Sequence, residues 1–279
     1  MSQPEQHTSH PLYDTPQQVN PAPSSKQQKR GVPIPMKASV PYVTRALIAI
    51  NVLIFVLRYL APEFAETLLI YGASIPEWIQ IAGLQEGYRL FTSMFLHANE
   101  AHILFNMMAL YYIGSYLELT FGHVAYLTIY ILGGLTGSIL SFLFYEGGIG
   151  ASGAVFAIWG AEVVYLGIHR NLFGDFARQR LQNSVMLMGL NFVMGFVANS
   201  AGGAVRIGNM AHLGGLIGGL IVTWCIAPRL SVKQFQTVAG QFDIRIVRQE
   251  LFALQMPLLV AYSAVLLVIF IGVFALRGA

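Results

Sequence analysis

Ser152, in the run Gly150-Ala151-Ser152-Gly153, opens one long apolar stretch, and His212 stands just inside another. A serine hydroxyl becomes a nucleophile only when a base takes its proton, and histidine is the commonest such base. Ionisable groups inside a membrane span are rare and usually functional. Together the two residue types point to acyl transfer carried out within a membrane. Gly150 and Gly153 let backbone or substrate approach the serine closely. A helix start leaves backbone N–H groups unpaired, and with the positive helix end they suit a developing oxyanion. A serine at this place can also be an ordinary N-cap. The run departs from the G-x-S-x-G elbow of soluble hydrolases, because Ala154 takes the place of the last glycine.

Other polar residues fall into relation with this pair. His102 and Asn106 are four apart on one helix face, and both side chains can donate hydrogen bonds to an oxyanion. His97 is expected to brace the preceding loop. Partial desolvation favours a neutral, proton-accepting His212. Gly215 and Gly219 follow it on one helix face, a small-residue stripe that permits close helix packing. The alternative for His212 is a hydrogen bond to a backbone carbonyl, with the glycines serving packing alone. No acid completes a triad: Glu162 lies roughly 15 Å deeper at 1.5 Å per residue, and Glu118 belongs to the inner end of another span. A Ser–His dyad is therefore expected, with Asn209 a helix cap or local orienting group. A metal held by His97, His102 and His212 is disfavoured, since H-E-x-x-H is absent and no carboxylate converges on them. No metal and no cofactor is expected.

The elements that must position these residues are membrane helices. The chain is 55% hydrophobic and 10% charged over 279 residues, against roughly 25% charged in soluble domains. The net charge of +3 is small, and its cations cluster as membrane orientation requires rather than as nucleic-acid binding would. The single cysteine, Cys225, excludes an intrachain disulfide. A bilayer-spanning helix needs about 20 apolar residues. Seven stretches qualify, near 43–60, 101–121, 124–145, 152–168, 185–200, 209–227 and 256–276. The predicted architecture is an all-α polytopic bundle. It has a tail at 1–40 that reads as disordered, a membrane core at 41–228, a loop at 229–254 and a seventh span at 255–279. The start shows no apolar signal-peptide region, and its acids make it a poor mitochondrial presequence. Residues 61–100, with Pro62, Pro76, Trp78 and Tyr88, form a long first loop lying partly in the interface.

Charge orients the stack. Lys26, Lys29, Arg30, Lys37 and Arg45 precede the first span; His169, Arg170, Arg178 and Arg180 follow the fourth; Arg229, Lys233, Arg245 and Arg248 follow the sixth. The positive-inside rule makes that side cytoplasmic, with the N-terminus inside and the C-terminus outside. Glu63, Glu66, Glu77, Glu86 and Glu146 fall on the other side. The second, fourth and sixth spans then run in one direction, so His102, Asn106, Ser152 and His212 collect at one shallow level below the outer face. Gly133 and Gly137 read as packing positions, and His123 and His169 as interfacial residues.

Three blocks, His97-x4-His102-x3-Asn106, Gly150-Ala151-Ser152-Gly153 and Ala211-His212-x2-Gly215-x3-Gly219, resemble in this order the rhomboid family of intramembrane serine proteases. The resemblance covers about 43–227. It implies a six-helix core with a Ser–His dyad in a water-filled cavity open to the outer face, and the seventh span matches a six-plus-one layout. It implies that Ser152 attacks, that His212 is the base, and that His102, Asn106 and the Ser152 N–H hold the oxyanion. Tyr88-Arg89 looks like the family's Trp-Arg pair, Glu118 matches an acid that supports the fold, and Phe156 stands where many members place Tyr under the histidine. The implied substrates are single-span membrane proteins cut in or near the bilayer, with lipid as the other partner and no nucleic acid. A bacterial plasma membrane is the simplest location. These motifs assign neither an oligomeric state nor the substrate's identity. The competing readings are a catalytically silent binder or quality-control adaptor on the same fold, and a small-solute transporter. The transporter is disfavoured because the polar cluster sits near one face rather than at the midplane.

Overall fold

The computed structural model describes residues 36–200, 208–236 and 242–278. Most of the tail expected at 1–40 lies outside these residues, and 36–40 carry neither helix nor strand. The first helix, α1 (Tyr42–Leu60), starts after Pro41 and has no side-chain cap of its own. Its first N–H groups instead reach Glu118, a fully buried carboxylate on another helix. Glu118 accepts from Val43 N at 2.8 Å and from Thr44 N and Thr44 Oγ1 at 2.7 Å each, and it contacts His123 Nδ1 at 2.5 Å. The residue expected to support the fold therefore caps one helix from another. Glu118→Ala should strand these donors at a cost of about 3 kcal/mol, read as a lower unfolding midpoint in detergent, and Glu118→Gln should lose less.

Proline punctuates the first loop. Pro62 begins α2 (Pro62–Gly72) and Pro76 begins α3 (Pro76–Ala82), each in the first turn where a missing N–H is harmless. A short 3-10 turn leads into α4 (Arg89–Thr92). Arg89 is buried and stitches this loop together: its Nη1 donates to Ile70 O at 2.6 Å and Ala73 O at 3.2 Å, and it pairs with Glu86. The Trp78 and Tyr88 rings lie 5.2 and 5.5 Å from its guanidinium.

The expected second span is helical throughout: α5 (Glu100–Ala109), a π-helical turn at Leu110–Gly114, and α6 (Ser115–Phe121), ended by Gly122 at φ 85°. Then come α7 (His123–Leu143), α8 (Ser152–Ile168), α9 (Arg170–Phe173), α10 (Asp175–Ser200), α11 (Asn209–Ile226) and α12 (Met256–Gly278). Among the described residues four helices, α1, α7, α11 and most of α12, are long and apolar enough to cross a membrane, and α8 is a shorter apolar helix.

Two expectations need correction. The segment 229–254 is not a plain loop and the chain is not all-α: β1 (Arg229–Gln236) and β2 (Phe242–Gln249) form an antiparallel pair in which Val232 faces Ile246. Residues alternate between faces in a strand, so the Leu230/Val232 and Ile244/Ile246 pattern is a strand pattern that the surrounding charges obscure. The helix of the fifth expected span, α10, begins at Asp175, ten residues before the expected 185. Arg180 is helical because its guanidinium is neutralised by Glu162 of α8 at 2.5 Å and covered by the Tyr116 ring at 4.1 Å, while Ser184 donates to the same carboxylate.

The centre is α11 wedged between α7 and α8. A side chain on Gly214 would place its Cβ 2.8 Å from Thr136 O of α7, and one on Gly215 would place it 1.9 Å from Gly153 O of α8. One turn on, Gly218 and Gly219 repeat the two contacts, at 3.0 Å from Gly133 Cα and 2.1 Å from Ala157 O. Two glycine faces on one helix thus bring three backbones together. Small residues drive association in membranes because lipid supplies no hydrophobic force between helices. Thr136 Oγ1 of α7, beside Gly218 of α11, also meets Tyr262 Oη of α12 at 2.6 Å.

Candidate active site

Ser152 is the first residue of α8, yet it is not a capping serine: the N-cap is Ala151, and no side chain caps this helix start. Its hydroxyl is therefore not committed to the helix. Ser152 is half-buried and His102 likewise, whereas His212 is only 4% exposed. The backbone before Ser152 is bent at Gly150, whose φ of 141° disfavours any L side chain. A Cβ there would lie 2.7 Å from both Cε1 and Nε2 of His102 and 3.6 Å from Ser152 Oγ. The bare face of Gly150 thus looks onto His102 and Ser152 at once.

His212 reaches the same place through the helix packing. A Cβ on Gly153, the neighbour of Ser152, would lie 3.3 Å from the carbonyl of Ala211, the neighbour of His212. Gly215, one turn after His212, lies against Gly153 itself. The imidazole stacks on Phe156, one turn into α8, with ring centroids 4.3 Å apart and planes 10° apart. Phe192 of α10 closes the side at 6.1 Å. No spacing in the sequence singles out Phe192.

His102 and Asn106 occupy successive turns of α5, Asn106 buried and His102 partly accessible. The helix is set in place by Asn99, whose side chain accepts from His102 N at 2.9 Å. This N-cap was not anticipated, although Asn followed by Glu100 is a recognisable helix start. From α1, Arg58 donates to Ala98 O at 2.6 Å and His97 O at 3.3 Å, and Tyr59 donates to Glu100. His97 packs edge-on against His102 at 5.1 Å. Burial, with His102 beside it, pushes the His97 pKa down to about 3, so this ring is neutral.

Asn209 does not cap α11: Gly208 is the N-cap and Asn209 lies inside the first turn. The chain enters the helix with Gly208 O accepting from His212 N at 3.1 Å, which leaves Asn209 no capping geometry. His169, expected at the interface, is buried at the end of α8. Its Nε2 accepts from Leu230 N at 2.9 Å and its Nδ1 donates to Tyr165 O at 2.8 Å, a neutral tautomer.

Several polar atoms around the site have no protein hydrogen-bond partner: His212 Nδ1, Asn106 Nδ2 and Asn209 Oδ1. Buried polar groups are normally satisfied, so a cluster of such atoms marks a place where polar ligands or solvent are received. Among the described residues no three His, Cys, Asp or Glu side chains gather as metal ligands.

Comparison with known proteins shows the family of the chain. The Rhomboid domain profile matches residues 84–229, which include every residue named in the three sequence blocks. The chain is 35% identical over 182 residues to "Rhomboid protease GluP" of Bacillus subtilis (strain 168), covering 64% of this chain and 34% of that protein. It is 34% identical over 169 residues to "RHOMBOID-like protein 7" of Arabidopsis thaliana, covering 60% and 50%. With "RHOMBOID-like protein 1" of the same plant it shares 36% over 140 residues, covering 49% and 34%. The aligned part thus spans from a third to a half of these relatives' own length. The profile alone takes in more than half of the chain, and with its apolar spanning helices the chain belongs to the rhomboid family of multi-pass integral membrane proteins.

Proposed function

We propose that this protein is an intramembrane serine endopeptidase in which Ser152 is the nucleophile and His212 the general base. The observation that carries the reading is the close approach of Gly153, next to an uncapped serine, to Ala211 and Gly215, which flank a buried histidine. Ser152 Oγ attacks the scissile carbonyl carbon as its proton passes to His212. The tetrahedral oxyanion is held by the Ser152 N–H and by donors on His102 and Asn106. Collapse expels the amine, which leaves with the proton from His212, and an acyl-enzyme remains. Water then attacks the ester, His212 takes and returns a proton, and a carboxylate is released.

Two features favour a dyad. His212 Nδ1 is buried without a protein partner, whereas a triad would put a carboxylate there. Glu162 is engaged by Arg180 and Ser184 and is not free to serve. The Phe156 ring fixes the imidazole plane where a Tyr would, without its hydroxyl.

The substrates we infer are single-span membrane proteins. An intact helix hides its carbonyls in hydrogen bonds, so small or helix-breaking residues near the cut would ease exposure of the scissile bond. The geometry supports the orientation as well: Lys37 pairs with Glu250 at 3.2 Å and His169 with Leu230, so three cation-rich segments share one end of the bundle. Ser152 opens α8 at the end opposite His169. By the positive-inside rule the cationic end is cytoplasmic and the active site faces outward, with six spans forming the core and α12 a seventh, in a bacterial plasma membrane. Purified protein in lipid vesicles should cleave a single-span reporter at one site in or near its membrane segment, identified by product mass. Intact reporters of several sequences after incubation with folded protein would favour the adaptor reading instead.

A further inference from the structure

Glu146 stands out because its carboxylate is spent on a helix far away in sequence. It lies in the segment between α7 and α8, and it accepts from Met210 N of α11 at 2.9 Å, across 64 residues. Gly208, the N-cap of α11, offers no side-chain cap, and a Cβ on it would lie 3.9 Å from Glu146 Oε2. The first N–H groups of a helix lack partners, and the helix dipole favours a carboxylate there. Met210 stands two residues before His212, and Glu146 six residues before Ser152.

We propose that Glu146 is a positioning residue that ties the start of the His212 helix to the segment presenting Ser152; the proposal rests on the dyad reading. The segment needs such a tie because Gly147, Gly148 and Gly150 make it compliant. Its other anchors run to α7 and to the first loop: Tyr145 Oη donates to Gln80 Oε1 of α3, and the rest are backbone or local. Glu146 N donates to Ser141 O at 2.9 Å and Ser141 Oγ to Glu146 O at 2.6 Å. Gly148 exchanges hydrogen bonds with Ser74 at 2.8 and 3.2 Å, and Gly150 N donates to Ser93 O at 2.9 Å. These hold the segment to α7 and to the first loop, which Arg89 stitches together. Only the Glu146 carboxylate, among these anchors, reaches α11. It fixes the height and rotation of the first turn of that helix against the nucleophile.

The test uses full-length protein in lipid vesicles with Glu146→Gln, Glu146→Asp and Glu146→Ala, beside Ser152→Ala and His212→Ala. Turnover of a single-span reporter, the rate of serine labelling by a fluorophosphonate, and the unfolding midpoint are read for each. A misplacement of 1 Å can cost about a hundredfold in rate, so a loosened first turn should cost about tenfold. Glu146→Asp cannot reach Met210 N and should lose that factor in kcat and labelling with KM unchanged. Glu146→Gln keeps an acceptor of the same reach and should retain most of the activity, and Glu146→Ala should behave as Asp does. Asp performing as well as Gln, or losses confined to the unfolding midpoint, would overturn the proposal. The Gln and Asp pair decides the matter even if Ala does not fold. Cleavage by Ser152→Ala or His212→Ala at the wild-type rate would instead remove the dyad reading and this proposal with it.

Discussion

Ser152→Ala and His212→Ala should each abolish reporter cleavage, with rates down by at least about 10³-fold and the fold intact. Both side chains are dispensable for structure on the geometry. Ser152 makes no capping bond, and a methyl group in its place meets the same surroundings. His212 contributes ring stacking on Phe156, and the close backbone approaches that pack its helix, at Gly214, Gly215, Gly218 and Gly219, do not involve its side chain. The effect should therefore fall on turnover and not on the unfolding midpoint. Groups acting as one unit are non-additive, so the double variant should be no slower than either single one. A residual rate from oxyanion donors alone is expected in all three. A His212→Ala protein that cleaves at a tenth of the wild-type rate would show that another group takes the serine proton.

Gly215→Ala should be nearly as damaging, by a different route. The added Cβ would lie 1.9 Å from Gly153 O, 2.7 Å from Gly153 C and 3.1 Å from Gly153 Cα. All three are backbone atoms, so no rotamer change relieves the clash and α8 must part from α11. On the proposed dyad reading, that contact governs the approach of His212 to Ser152. Overpacking typically costs about 1–3 kcal/mol, and displacement of the base by about 1 Å costs about a hundredfold in rate. Both should appear together, as a lowered unfolding midpoint and a fall in kcat with little change in KM. Gly219→Ala meets Ala157 O at 2.1 Å, a turn farther from His212, and should lose comparable stability. Wild-type turnover and stability in Gly215→Ala would mean that α8 and α11 do not pack as closely as described.

Much of this was legible in the residues because apolar length and small-residue spacing are local signals. The expected spans at 43–60, 124–145, 152–168, 209–227 and 256–276 correspond to helices Tyr42–Leu60, His123–Leu143, Ser152–Ile168, Asn209–Ile226 and Met256–Gly278. A shared level for Ser152, His212, His102 and Asn106 is an expectation from spans running in one direction; the structure sets His102 of α5 against Gly150 and α8 against α11 at Gly153. What was missed depends on partners distant in the chain. Arg180 looks like a loop cation until Glu162 neutralises it, and α10 therefore starts early. Glu146 was one more acid on the outer side, and only the fold delivers Met210 N to it. Asn209 and Asn99 look equally able to cap, yet the chain enters α11 through Gly208 and α5 through Asn99. The pairing of 229–236 with 242–249 went unread because its alternation is short and its charges resemble a cytoplasmic loop.

The most direct test of the central claim is site mapping of a serine-directed phosphonate on the folded, lipid-reconstituted protein. The account predicts one adduct per chain, on Ser152, formed at a rate that collapses in His212→Ala and is lost in Ser152→Ala. An adduct on any other serine, or labelling of Ser152 unaffected by removal of His212, would contradict it.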